Sequence, residues 1–222
     1  MKQFLPDFTP HATQRLIKKN AILIYQGEVP RQAYILLSGV VKVYRLDKFG
    51  NEQIVNFHVA GDVFPSTWIF GKTTSALFYY ESMEETKILT IERARFLDIA
   101  NNSAPIHQYL FDMFVNNYTS LLLQINALEQ SRATEKIAMM LYYLLFRFGD
   151  QEKPGEYSIH FKLTHTTLGN LVGLTRETTN VELTKLRKRG IVEYENSCFT
   201  IHRQALEKFI GSENFTDIQL AH

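Results

Sequence analysis

The sequence predicts an α+β chain in three parts. A jelly-roll-like β-roll is expected over residues 1–103, one long helix over 104–131, and a winged helix-turn-helix domain over 132–222. Three observations carry this. Apolar, β-branched runs of strand length recur between glycines from Asn20 to about Ile91. Residues 106–128 hold neither Gly nor Pro and repeat apolar residues at roughly heptad spacing. Residues 163–192 read as two short helices joined by a glycine turn, with a basic end.

Composition sets the frame. The chain has 222 residues, 45% of them hydrophobic and 21% charged, which suits two modest domains with real cores. Met1-Lys2-Gln3 leads into Phe4, Leu5 and Pro6, which is not a signal peptide. No run of about 18 apolar residues exists. A cytoplasmic protein without membrane spans is expected. The single cysteine, Cys198, excludes a disulfide framework and any iron–sulfur cluster built from four thiolates of this one chain. The seven histidines show neither HxxxH nor HExxH spacing, and no Walker loop, GxGxxG or GxSxG occurs. No metal, no cofactor and no enzymatic activity are expected.

In the β-roll, the strand candidates are AILIY, AYILLSGVVKVYRL, EQIVNFHVAGDVF, SALFYY and TKILTI. Gly27, Gly39, Gly50, Gly61 and Gly71 punctuate them, as in small barrels and jelly rolls. Trp68, Phe70, Phe78, Tyr79 and Tyr80 make one stretch aromatic, and packing as core is its expected role. A lone His58 in a strand is expected to be packed or exposed, not a ligand.

Pro105 suits the first turn of the long helix. Leu110, Phe114, Asn117, Leu121, Ile125 and Leu128 are expected to form a two-stranded seam, with Asn117 fixing register. Ser131–Thr134 reads as a hinge and helix start, and the apolar EKIAMMLYYLLFRFG as a buried helix ended by Gly149. Residues 150–156 are expected to be a polar loop and 157–163 a strand. IVEYENSCFTI reads as a hairpin turning at Glu195-Asn196-Ser197, a wing, and a weakly ordered tail is expected from about Gly211.

The helix pair is the most specific signal. The first helix opens near Thr164 and stops at Gly173, where glycine takes a left-handed turn without a Cβ clash. Thr175 is an N-cap for the second helix, which buries Thr179, Leu183 and Leu186 at i, i+4 and i+7 and ends at Gly190. Gly169 lets the helices cross closely. Between Ser158 and Val192, six Lys/Arg face two acids, a local excess of +4 in a chain of net charge +1, as phosphate binding requires.

These residues carry a family resemblance. GNLVGLTRETTNVELTKLRKRGIV resembles the DNA-binding domain of the CRP/FNR family of bacterial transcription regulators. Gln26-Gly27-Glu28, LSGVVKVYR over 37–45 and Ala60-Gly61-Asp62 resemble its cyclic-nucleotide-binding β-roll, in the family's order. The resemblance implies a homodimer on an inverted-repeat operator, paired through the central helix. It places Arg176 and Glu177 on base edges, where guanidinium suits guanine and carboxylate suits cytosine N4. The family's second Arg is replaced by Val181, after Asn180. These two would suit a thymine methyl and an adenine. Thr175, Thr178, Lys185, Arg187 and Lys188 complete the expected DNA-binding set.

The sequence departs from the family at the nucleotide site. The Gly-Glu pair after Gly61-Asp62 is Pro65-Ser66 here. The phosphate-binding Arg is Thr74, before Ser75-Ala76. The adenine-contacting pair falls on Leu121-Leu122. A buried phosphate without its guanidinium is poorly compensated, and Lys72 is no equivalent of the fork. Cyclic AMP binding of the usual kind is therefore not expected. A different small-molecule effector would meet Ser66, Trp68, Thr74, Ser75, Leu121 and Leu122. The expected partners are double-stranded DNA, a second copy of the chain and RNA polymerase, the last through exposed loops such as 150–156. The alternative is a ligand-sensing module whose helix-turn-helix contacts protein and not DNA.

Overall fold

The computed structural model describes residues 2–195 and 198–211. It divides into two compact units between Val115 and Asn116. The division falls inside a single helix, so that helix contributes to both.

The first unit begins with α1 (Leu5–Phe8) between two 3-10 turns, followed by β1 (Ala12–Ile17), β2 (Ile22–Ile24), β3 (Ala33–Ser38), β4 (Val41–Leu46), β5 (Glu52–His58) and β6 (Val63–Phe64). Then come α2 (Ser66–Ile69), β7 (Tyr79–Ser82), β8 (Thr86–Ile91), α3 (Arg93–Asn101) and the start of α4 (Ala104–Glu129). The strands form two antiparallel four-stranded sheets, β1-β8-β3-β6 and β2-β7-β4-β5. Ile24, Leu36, Val41, Val43, Phe64, Tyr80 and Ile88, drawn from both sheets, make one core. Ala33, Ile35, Leu89 and Ile91 point from the first sheet to its other face, where α1, α3 and α4 cover them with Phe8, Phe96, Ile106 and Leu110. Residues of successive parity thus enter two different cores. That is why β3 and β8 read as unbroken apolar runs in place of alternating ones.

At Gly39 a left-handed φ of +91° joins β3 to β4, and a Cβ there would meet Thr86 Oγ1 at 2.5 Å. Only glycine fits both the dihedral and the space.

The second unit holds the rest of α4, then α5 (Ala133–Phe148), β9 (Gly149–Lys153), β10 (Glu156–Ile159), α6 (His165–Val172), α7 (Arg176–Lys188), β11 (Val192–Glu195), β12 (Cys198–His202) and α8 (Arg203–Ile210). Its sheet runs β11-β12-β10-β9, all antiparallel. Helix α5 is buried from Ile137 through Phe148, as a stretch apolar at every position but Arg147 requires. No described helix is long and apolar enough to cross a membrane.

Several expectations are corrected. Strand β1 precedes the stretch read as strand, and SALFYY yields a strand only from Tyr79. Residues 150–156 are not a loop. They belong to a hairpin, β9 and β10, turned by Gly155 at φ +81°. Its polar strand β9 has four exposed residues at the sheet edge, so no apolar alternation betrays it. The strand expected over 157–163 stops at Ile159. Helix α8 was not anticipated. The wing hairpin forms, pairing Glu195 with Cys198, but Asn196 and Ser197 of its expected turn lie outside the described residues. So does the expected tail beyond Gly211.

Leu110 is also corrected. It is 4% exposed and belongs to the β-roll core. Asn117 lies on the same inward side as Met113 and Ser120, with its Oδ1 buried and unpartnered. The exposed side of α4 carries Phe111, Phe114, Val115, Tyr118, Leu121, Leu122, Ile125 and Leu128. Phe114, Leu121, Ile125 and Leu128 of the expected seam lie on that exposed side, while Leu110 and Asn117 do not, because α4 is apolar on two sides.

Candidate nucleic-acid interface

Local chemistry sets the two helices of the motif. Thr164 caps α6, its Oγ1 accepting from the Thr167 amide at 3.0 Å. Gly173 closes α6 at φ +68°. Thr175 caps α7 in the same way, accepting from the Thr178 amide at 3.2 Å. Thr175 Oγ1 also donates to Thr178 Oγ1 at 3.1 Å, so these two hydroxyls are occupied with the start of the helix. Each such cap contributes roughly 1 kcal/mol.

Thr179, Leu183 and Leu186 turn inward and are buried. Glu182 is buried too, and fastens α7 to α5: it accepts from Thr134 Oγ1 and, at 2.7 Å, from Lys185 Nζ. Burial pushes the Glu182 carboxyl up, but the bonds from Lys185 and Thr134 outweigh it and hold the group below its usual range.

The opposite face of α7 is exposed at Arg176, Glu177, Asn180 and Val181, with Arg187 and Lys188 in the last turn. Offsets of one, four and five from Arg176 put the first four on one stripe. Among the described residues, neither Arg176 nor Glu177 sits in an ion pair. Two of the six local cations are otherwise engaged: Lys185 with Glu182, and Arg189 stacked over the Phe209 ring at 4.9 Å. The basic patch that faces outward is therefore smaller than the sequence count. Next to it, wing strand β11 presents Glu193 and Glu195, both exposed.

An exposed helix face with a cationic start and end, on the second helix of a capped pair, matches the geometry by which helix-turn-helix proteins enter the major groove. Comparison with known proteins agrees. Residues 14–103 match the cyclic nucleotide-binding domain model and residues 135–209 the Crp-like helix-turn-helix domain model. The chain belongs to the CRP/FNR family of transcription regulators.

Among its relatives, the regulatory protein HlyX of Actinobacillus pleuropneumoniae is 29% identical over 84% of this chain and 77% of its own length. The fumarate and nitrate reduction regulatory protein of Vibrio cholerae is 27% identical over 86% of this chain and 76% of its own. The solved FixK2 of Bradyrhizobium japonicum superposes with a TM-score of 0.71 at 23% identity, covering 89% of this chain and 96% of that one. A CooA mutant from Carboxydothermus hydrogenoformans gives 0.73 at 23%, covering 94% and 90%. These two share the fold.

In the first unit, where the cyclic nucleotide-binding domain model matches, aromatic side chains pack on one another. Phe64 stacks on Tyr34 at 5.3 Å, on His58 at 4.9 Å and on Tyr80 at 5.4 Å between centroids, all nearly parallel. His58 is buried and its Nδ1 lies 3.2 Å from Asp62 Oδ2. Ser66 donates to the Val63 carbonyl at 3.1 Å. Trp68 packs against the β-roll core under the Arg93 guanidinium, 5.5 Å from its ring. Thr74 is exposed and Ser75 half-buried. Leu121 and Leu122 stand exposed on α4, in the second unit. Phe70 meets Phe96 and Phe114 edge-on, at 6.4 and 5.3 Å.

Sequence reasoning missed Phe111, Val115 and Tyr118 on α4 and His165 and Tyr194 beside α7. Counting the α4 stripe from Phe111 would have found the first three.

Proposed function

We propose that the chain is a homodimeric, sequence-specific DNA-binding regulator acting in the cytoplasm on an inverted-repeat operator. The observation that carries this is the outer stripe of α7, where Arg176, Glu177, Asn180 and Val181 are exposed together and the first two have no ion partner among the described residues. Arg176 is assigned to guanine O6/N7, Glu177 to cytosine N4, Asn180 to adenine and Val181 to a thymine methyl. Thr175 and Thr178 hold the helix start, and Arg187 and Lys188 meet backbone phosphates. Lys185 is left to its pair with Glu182. RNA polymerase is the further partner, reached through the exposed β9–β10 hairpin that stands where a loop was expected.

The dimer is assigned to the exposed α4 stripe of Phe114, Leu121, Ile125 and Leu128, joined by Phe111, Val115, Tyr118 and Leu122. Eight large apolar side chains on one helix face are a patch that soluble monomers rarely expose. Two half-sites one helical turn apart require two recognition helices.

The effector site has lost the cyclic-nucleotide contacts. Pro65-Ser66 and Thr74 supply neither carboxylate nor guanidinium, and Leu121-Leu122 supply no polar group. Several relatives are named for anaerobic or fumarate and nitrate regulation. One cysteine per chain gives this protein no cluster of four thiolates through which to share an iron–sulfur mechanism. Activity without added ligand is part of this proposal, and a small molecule that shifts DNA affinity several-fold at fixed protein concentration would remove it.

The test is a titration of duplex DNA with the pure protein. Arg176→Ala should weaken a specific duplex by about 1–3 kcal/mol and relax its preference at one base pair. Equal binding of all duplexes by the unmodified protein would remove the reading.

A further inference from the structure

Beside the exposed stripe of α7 lies an open cleft of about 290 Å³, solvent mouth included. Asn180, Thr184 and Arg187 of α7 line it, with His165 at the start of α6 and Val192 and Tyr194 of wing strand β11. We propose that it seats one backbone phosphate of the bound duplex, and that His165 takes up a proton when it does. This rests on the DNA reading above and adds a proton-linked contact to it.

Geometry supports the phosphate. The first helix of such a pair crosses the DNA backbone. The α6 cap satisfies Thr167 and leaves the amides of His165 and Thr166 without intrahelical acceptors, a ready anion site. Arg187 adds a formal positive charge at the cleft and the Thr184 side chain a polar wall. The Thr184 hydroxyl already donates to the Asn180 carbonyl at 2.8 Å, which fixes its rotamer.

Geometry also singles out His165. Its ring lies on Tyr194, centroids 4.4 Å apart, and its Nε2 is buried with no hydrogen-bond partner. The charged groups around it are Arg176 and Arg187 from α7, and the titratable neighbour from the wing is Tyr194. Burial, followed by Arg176, holds the imidazole below its ordinary pKa. A phosphate brought into the cleft offsets part of that positive charge and favours imidazolium. By linkage, DNA affinity must then rise as pH falls through the histidine range.

The experiment uses the full chain and its own selected duplex. Affinity is measured at pH 7.5 and 5.5 for the unmodified protein and for His165→Gln. It is then measured for the unmodified protein on duplexes carrying one uncharged methylphosphonate linkage at each position in turn. The proposal expects several-fold tighter binding at pH 5.5, a flat profile for H165Q with the same sequence preference, and one linkage whose neutralisation removes the pH effect. The linkage scan needs no mutant and so stands even if H165Q folds poorly. A pH profile that H165Q leaves unchanged, or that no linkage alters, overturns the proposal and leaves the DNA reading intact. Recovery of no specific duplex overturns both.

Discussion

Gly169 of α6 lies so close to Thr179 of α7 that a Cβ on it would come within 2.9 Å of Thr179 Oγ1 and 2.6 Å of the Leu174 carbonyl oxygen. The contact fixes how the recognition helix crosses its partner. Backbone cannot yield as a side-chain tip can. Gly169→Ala therefore costs about 1–3 kcal/mol by overpacking, although alanine is the better helix former. A urea unfolding midpoint for the second unit checks this. An unchanged or raised midpoint would show that the crossing is loose.

The α4 face separates two kinds of leucine. Leu121→Glu with Ile125→Glu should convert the proposed dimer to folded monomer in sedimentation at micromolar concentration and weaken operator binding. Leu110→Ala should instead lower stability by about 2–5 kcal/mol with the mass unchanged, because Leu110 is in the β-roll core. A dimer that survives the double substitution would place the interface elsewhere.

The acidic wing carries its own outcome. Glu193 and Glu195 are exposed on wing strand β11, and Glu193 lies 3.7 Å from His202 Nε2, which leaves Glu195 as the carboxylate a nearby phosphate would repel. Glu195→Lys should raise affinity for all duplexes alike and steepen the slope of log affinity against log salt by about 1. A slope that stays unchanged would put the wing away from the backbone.

How much of this was legible in the sequence depended on where one chemistry had one reading. Gly173, Thr175 and the i, i+4, i+7 burial of Thr179, Leu183 and Leu186 follow from local rules, and they stand where expected. The start of the α4 stripe did not follow, because Leu110 serves the core and Phe111 the surface one residue apart, and both are apolar. Strand β9 was hidden by its exposure at an edge. The engagement of Lys185 and Arg189 was hidden because charge counts carry no partners. The cleft at His165 joins residues from three elements, which no local pattern brings together.

Free His165 also makes a stability prediction. Its folded pKa lies below the unfolded value of about 6.5, so the unfolded chain binds the proton first. The stability that neutral His165 contributes is whole above pH 6.5 and is lost as pH falls through the folded pKa. Thermal midpoints without DNA should therefore fall more between pH 7.5 and 5.5 for the unmodified protein than for H165Q. The Glu182 contribution has the same sign but is lost only below the ordinary carboxylate range, outside this window. Equal losses would show that the imidazole is solvated like a free one.

The central claim is that the exposed face of α7 reads DNA without an added effector. Selection of bound duplexes from a randomised library, with pure protein and no ligand, tests it most directly. The account predicts an enriched inverted repeat whose half-sites carry a G·C pair read by Arg176 and Glu177 beside an A·T pair read by Asn180 and Val181. Enrichment of no sequence would contradict it.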